Sequence, residues 1–376
     1  MVSFVVGFTI SLYAYSGFAL LKDEDFLHLK RVNLLSSLFT TPAKVLEAPD
    51  AGGIETRVVS SDTQMGEPRQ AYIKSDDSTV PAHKFMCPGY EAEPSAFPAL
   101  MTRLHEIKKG SKKKVRIAWM GDSMIEGDLL TQTFRQRLQN MFGGMGVGFV
   151  PVMSVSAANR QTVRAKTSGN WEDESFKSKK VTAPLFLSGH TFYSKSGSLV
   201  LTDETVNDSS QVLVKTLLCG PAQGDVALRV NGSELHVHPS APFNRIVLDS
   251  STNRTVAVDV ANTNLPVYGV SIEPASGVTV DNFSFRGSSG IELKALDTAF
   301  LAELDRQHYY DLVVLQYGVN VLWKPYTDNY DYYGRQMRKI LPLLRKAMPN
   351  TQFLIIGSAD RAFSYDGEWK TAMGLG

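Results

Sequence analysis

"KVRIAWMGDSMIEGDLL", residues 114–130, reads as an apolar strand that breaks off at Gly121-Asp122-Ser123 and passes at once into a helical pattern. A run apolar on both faces fits a strand buried in a parallel sheet with helices on both sides. Ser123 then has two readings: a helix N-cap, a place serine fills well, or a nucleophile exposed at a strand end. Two later segments share the design. "YDLVVLQYGVN" (310–320) and "NTQFLIIGSAD" (350–360) are short apolar runs that also end in glycine and small polar residues. Helical patterns follow. "SMIEGDLLTQTFRQRLQNMFGG" (123–144) places Ile125, Leu129, Phe134, Leu138 and Met141 on one stripe, and "YDYYGRQMRKILPLLRKAMP" (330–349) follows the second run. Strand, turn and helix in this order predict an open parallel α/β sheet, whose ligand crevice lies outside the carboxyl ends of its strands. Asp122, Ser123, Asn320 and Asp360 would all emerge at that edge.

The chain has 376 residues, more than one domain usually holds. One strand-to-strand crossover needs only about 30 residues. From Ser123 to the next glycine-bounded candidate, "FSFRGSSGIEL" (283–293), the gap is far longer, so something is inserted. The pattern there turns to alternation: Val226, Leu228 and Val230 lead into Asn231-Gly232, and Leu235 and Val237 lead out, a hairpin with a favoured two-residue turn. Val256-Val258-Val260, Val267 to Ile272 and Val278-Val280 continue it, which predicts an antiparallel β-sandwich or jelly roll. Upstream, Phe97, Leu100, Met101 and Leu104 recur as a helix that ends at Gly110.

Residues 1–21 contain no charge and are about long enough to span a bilayer, which takes ~20 residues. A membrane anchor and a cleaved signal sequence both fit, and both place the rest of the chain outside the cytoplasm, periplasmic or secreted. The expected division is 1–21 signal or anchor, 22–95 tether, 96–160 and 281–376 two parts of one α/β domain, and 161–280 the inserted sandwich. A net charge of +1 with 20% charged residues argues against a nucleic-acid partner. Cys87 and Cys219 are the only cysteines; a disulfide between them stays open, and no metal site with cysteine spacing exists. Four Asn-x-Ser/Thr matches, Asn207, Asn231, Asn253 and Asn282, carry meaning only in a eukaryotic secretory setting.

Gly121-Asp122-Ser123 after a buried strand, the glycine block at 287–290 ("GSSG"), and Gly318-Val319-Asn320 ending another strand resemble the first three blocks of the SGNH, or GDSL, hydrolases. The resemblance implies a flavodoxin-like α/β fold and an ester hydrolase with Ser123 as nucleophile. It further implies an oxyanion hole made by the Ser123 N–H, the Gly290 N–H (Gly287 being the alternative) and the Asn320 side chain, with no metal or organic cofactor. Such donors are needed because the tetrahedral intermediate is stabilised only by groups placed in advance. A serine hydroxyl also needs a base to take its proton.

Two departures stand out. Val321 follows Asn320 where the family often has aspartate, which leaves the oxyanion role intact. The fourth block, an Asp-x-x-His near the C-terminus that supplies the base and its acid, is not present. No histidine follows His308, and neither Asp360 nor Asp366 has one three residues on. The remaining histidines, His28, His83, His105, His190, His236 and His238, do not stand out as a base; His236 and His238 alternate on one predicted strand face. The expectation is a gene fragment whose catalytic Asp and His lie beyond residue 376.

A sandwich inserted between the first and second blocks resembles the arrangement in bacterial peptidoglycan O-acetylesterases. Trp171, Phe192, Tyr193 and Tyr268 are candidate sugar-stacking faces, with core packing as the alternative. The expected function is removal of O-acetyl groups from peptidoglycan or another acetylated polysaccharide. The alternatives are a catalytically inactive carbohydrate-binding protein and a lipase or thioesterase for longer acyl chains.

Overall fold

The computed structural model describes residues 97–371 except 207, 262–264, 323–328, 359–361 and 366–367. The expected anchor at 1–21, the tether at 22–95, Cys87, Asn207, Asp360 and Asp366 therefore lie outside the described residues. No helix among the described residues is long and apolar enough to cross a membrane.

Helix α1 (Pro98–Lys108) ends just ahead of Gly110, as the sequence predicts, and β1 (Lys114–Gly121) follows. Then come α2 (Leu129–Phe142), β2 (Gly148–Pro151), β3 (Val163–Ser168), β4 (Trp171–Ser175), β5 (His190–Ser194) and β6 (Ser196–Asp203). After these the chain forms β7 (Leu213–Cys219), β8 (Val226–Val230), β9 (Ser233–Val237), β10 (Asn244–Ser251), β11 (Thr255–Ala261) and β12 (Val267–Pro274). It returns to mixed structure with β13 (Gly277–Ser284), α3 (Thr298–Gln307), β14 (Leu312–Gln316), α4 (Asp331–Ala347) and β15 (Gln352–Ile356). A short pair, β16 (Ala362–Tyr365) and β17 (Glu368–Thr371), comes last among the described strands.

Four strands make a parallel sheet in the order β13-β1-β14-β15. Its faces follow from the alternation along β1. Ala118 and Met120 join Phe300, Leu304 and Leu344 of α3 and α4 in one core. Trp119, pointing the other way, meets Phe134 of α2 edge-on at 5.1 Å. Helices thus cover both faces at β1 and β14, as their doubly apolar runs require, whereas β15, the outermost of the four, is not buried as its run suggests: Ile355 is 55% exposed.

Two antiparallel sheets, built on β10-β7-β12-β5-β4 and β3-β6-β11-β8-β9, share a second core that includes Leu199, Leu201, Val256, Val258, Leu217 and Val270. This is the inserted β-sandwich. The Asn231-Gly232 hairpin joins β8 to β9 with both turn residues at positive φ, 49° and 88°, the geometry that a twisted two-residue hairpin favours. Phe186 links the two parts: its ring lies 5.0 Å from Phe149, 4.9 Å from Tyr268 and 5.5 Å from Phe283 of β13.

Two expectations need correction. Val278 and Val280, grouped above with the sandwich, lie in β13 and pair in parallel with Val115 and Ile117 of β1. The alternation misleads because the polar residues beside them, Thr279 and Asp281, are buried too: Asp281 accepts hydrogen bonds from the Phe149 N–H at 2.8 Å and the Tyr310 hydroxyl at 2.6 Å. The stripe on α2 also differs. Leu129 is 42% exposed and Ile125 precedes the helix, while Thr131, Arg135 and Leu138 are its buried residues. A satisfied ion pair, not an apolar ridge, fills part of that face.

A charged contact joins sandwich and sheet. Glu273 of β12, 2% exposed, accepts hydrogen bonds from Lys114 at 2.7 Å and Arg116 at 2.8 and 3.0 Å. Burial works to raise its carboxyl pKa, but the Arg116 and Lys114 charges outweigh it and hold the group well below the usual carboxylate range. A depressed folded pKa gives stability that is complete above the unfolded value, about 4.3, and that fades as pH falls toward the folded one. Urea unfolding of Glu273→Gln beside the native chain should therefore show a stability gap that is constant above about pH 5 and narrows below about pH 4.3. A gap independent of pH down to 3 would contradict the assignment.

Candidate active site

The chain leaves β1 toward α2 and leaves β14 toward α4, on opposite faces of the sheet. That divergence is a topological switch point, where open α/β sheets form their ligand crevice. Ser123 follows β1 and Asn320 follows β14, so they flank it. Gly290 follows the neighbouring edge strand β13.

Ser123 is exposed in a turn, six residues ahead of α2, with a single 3-10 turn at Glu126–Asp128 in between. It is therefore not a helix cap. Nor does it gain the helix N-terminus that the sequence pattern placed beside it, because α2 starts later than the pattern indicates. Gly121 lets the turn form: a Cβ there would stand 3.0 Å from the Gln316 carbonyl oxygen and 3.1 Å from the Ile125 side chain. Asp122 shapes the turn, its Oδ1 accepting from the Met124 N–H at 2.8 Å. No hydrogen bond of the Ser123 hydroxyl or N–H is found among the described residues.

Asn320 ties the three segments together. Its Nδ2 donates to Asp122 Oδ2 at 3.1 Å and to the Ser288 carbonyl at 2.8 Å. Gly290 is held at φ +89° against the Tyr317 ring, which a Cβ would approach to 3.0 Å, and its N–H donates to Ser288 Oγ at 3.1 Å. Gly287, also at positive φ, has open space around it. Glu292 fixes this loop by accepting from Ser288 Oγ at 2.9 Å and the Ser289 N–H at 3.0 Å. Of the three expected oxyanion donors, the Ser123 N–H is thus the uncommitted one. Burial pushes the Asp122 carboxyl pKa up, opposed by the Met124 N–H.

His308, His236 and His238 are placed elsewhere. His308 is fully buried at the amino end of β14, 3.7 Å from Glu273. His236 and His238 are exposed beside Glu234 and Asp225. No group of His, Cys, Asp and Glu suited to a metal ion occurs among the described residues. Cys219 is buried, which pushes its thiol pKa up to about 12.

Two of the expected sugar-stacking faces are ruled out. Phe192 is 1% exposed and Tyr268 fully buried, both in the core. Trp171 packs across Gly197, where a Cβ would meet its ring at 2.3 Å. The Tyr193 hydroxyl donates to Glu174 at 3.3 Å. Asn282 is buried as well and donates to the Ile125 carbonyl at 2.8 Å, so it is a structural side chain. A residue the sequence did not single out is Glu292, whose one signal was a serine three positions earlier, Ser289, in capping-box spacing.

No family model matches the chain, and no curated protein matches it. Among solved structures it is similar to a peptidoglycan O-acetylesterase, at 23% identity over 69% of this chain and 72% of that one, with a TM-score of 0.56. Fainter likenesses are to a family two carbohydrate esterase from Cellvibrio japonicus (10% identity, 50% and 79% covered, TM-score 0.18) and to TmCBM61 bound to β-1,4-galactotriose (13%, 33% and 97%, TM-score 0.19). The first likeness establishes a shared fold: a parallel α/β sheet with antiparallel β-structure.

Proposed function

We propose that this chain is a serine esterase of the SGNH type that removes O-acetyl groups from peptidoglycan or a related acetylated polysaccharide, outside the cytoplasm. The observation that supports it best is the Asn320 amide, bonded at once to Asp122 beside the serine and to Ser288 of the glycine block. Those contacts join the three family blocks at the switch point. The fold shared with a peptidoglycan O-acetylesterase supports the substrate class.

In this mechanism Ser123 Oγ attacks the acetyl carbonyl as the base takes its proton; the bond from the acetyl carbon to the sugar oxygen then breaks, the acetyl group stays on the serine, and the base returns the proton to the departing sugar oxygen. Water then hydrolyses the acyl-enzyme. The Ser123 N–H meets the oxyanion. Asn320 Nδ2 joins it by exchanging its bond to the Ser288 carbonyl, while the bond to Asp122 keeps the amide aimed. We assign the base to a histidine outside the described residues.

A fluorophosphonate reagent, which phosphonylates activated serines, tests the nucleophile. Peptide mass spectrometry should find the label on Ser123. Labelling confined to another serine would move the nucleophile there, and no labelling at all favours the binding-protein alternative.

A further inference from the structure

A groove of about 470 Å³ opens between the carboxyl end of β13 and the sandwich, lined by Glu126 of the serine loop, Phe285, Arg286, Lys177, Ser188 and His190. Most of its charges are already matched. Arg286 pairs with Glu126 at 2.6 Å, and Asp173 takes Nδ1 of His190 at 2.8 Å. Lys177 is different: it is exposed, its ammonium lies 5.4 Å from the Phe285 ring centroid, and no ion pair to it is found among the described residues. Ser188 is different again. It is 3% exposed, yet its Oγ has no hydrogen-bond partner among the described residues.

A buried hydroxyl without a partner is costly, and native structures rarely keep one without a reason. An unmatched cation lining the same groove favours an anion over a neutral sugar, which would leave the ammonium uncompensated. We propose that this groove is a subsite for a carboxylate-bearing sugar of the substrate, with Lys177 Nζ and Ser188 Oγ donating to the carboxylate. His190 Nε2, the ring nitrogen that Asp173 does not engage, is the third polar contact. The proposal rests on the esterase reading for its substrate. It adds that the sugar unit in the groove is acidic.

The test is a calorimetric titration, free of turnover. The Ser123→Ala chain is titrated with a glucuronic acid oligomer and with its neutral methyl ester. The acid should bind at least about fivefold more tightly than the ester, and adding Lys177→Ala or Ser188→Ala should each weaken the acid by about fivefold or more. Lys179→Ala, outside the groove, serves as the control and should change nothing. Ser188→Ala should fold, since it removes a hydroxyl that has no partner, and its melting midpoint verifies that. Equal binding of acid and ester, unaltered binding in Lys177→Ala, or no binding at about 10 mM acid overturns the subsite. Failure of the native chain to release acetate from any acetylated polysaccharide would overturn the esterase reading alone, because the titration does not use turnover.

Discussion

Acetate release from an acetylated polysaccharide should fall about 10⁴- to 10⁶-fold when Ser123 is replaced by alanine, the range seen when an acyl-transfer nucleophile is removed. Stability should stay within about 0.5 kcal/mol, because the exposed side chain makes no hydrogen bond that the fold relies on. Asn320→Ala should lower kcat about 10²- to 10³-fold, as loss of one oxyanion donor does. Its KM should change little, since in the proposed mechanism the amide acts on charge that develops only in the transition state. The double variant should be about as slow as Ser123→Ala alone, because a donor aimed at the serine's own intermediate has nothing to stabilise without it. Initial-rate measurements on purified, folded variants decide the matter. Ser123→Ala with native activity would place the chemistry elsewhere, and Asn320→Ala with native kcat would reduce that residue to holding the turn.

What the sequence revealed and what it hid follow from how local each signal is. The strand ending at Gly121 was legible because burial on both faces and a glycine stop are written in consecutive residues. So was the hairpin at Asn231-Gly232, whose turn chemistry is two residues long. β13 was obscured because Thr279 and Asp281 are polar yet fully buried, and only partners far along the chain, Phe149 and Tyr310, make Asp281 tolerable there. The α2 stripe failed for the same reason: Arg135 looks like a surface residue until Asp128 is seen beside it. The groove had no signal at all. Its lining comes from the serine loop, two parts of the sandwich and the segment after β13, and an unpartnered hydroxyl such as Ser188 cannot be recognised before its surroundings are known.

The second large effect is expected under the serine loop. Asp128, fully buried and in the left-handed conformation at φ 67°, accepts from Arg135 at 2.7 and 2.9 Å, from Thr162 at 2.7 Å and from Thr131, with Arg160 at 3.4 Å. Burial opposes its charge, but Arg135 and Arg160 prevail and hold the carboxyl far below the usual range, so it stays ionised. Arg135→Met would leave that buried anion short of its main partner. Removing one member of a buried pair costs about 3–5 kcal/mol, and for a chain of this size the melting midpoint should drop by roughly 10 °C. Adding Asp128→Asn should recover part of the loss, because the uncompensated charge, not the missing arginine, is the main penalty. The network also reaches the Ser123 turn, since Asn282 donates to Thr131 at 2.7 Å and to the Ile125 carbonyl at 2.8 Å. Arg160 and Thr162 connect it to the segment that enters β3. Arg135→Met should therefore lower kcat at temperatures where the variant is still folded, by letting the Ser123 turn move. Denaturant unfolding that shows less than about 1 kcal/mol of change would mean that Arg160 alone compensates Asp128, and a native kcat would uncouple the network from the turn.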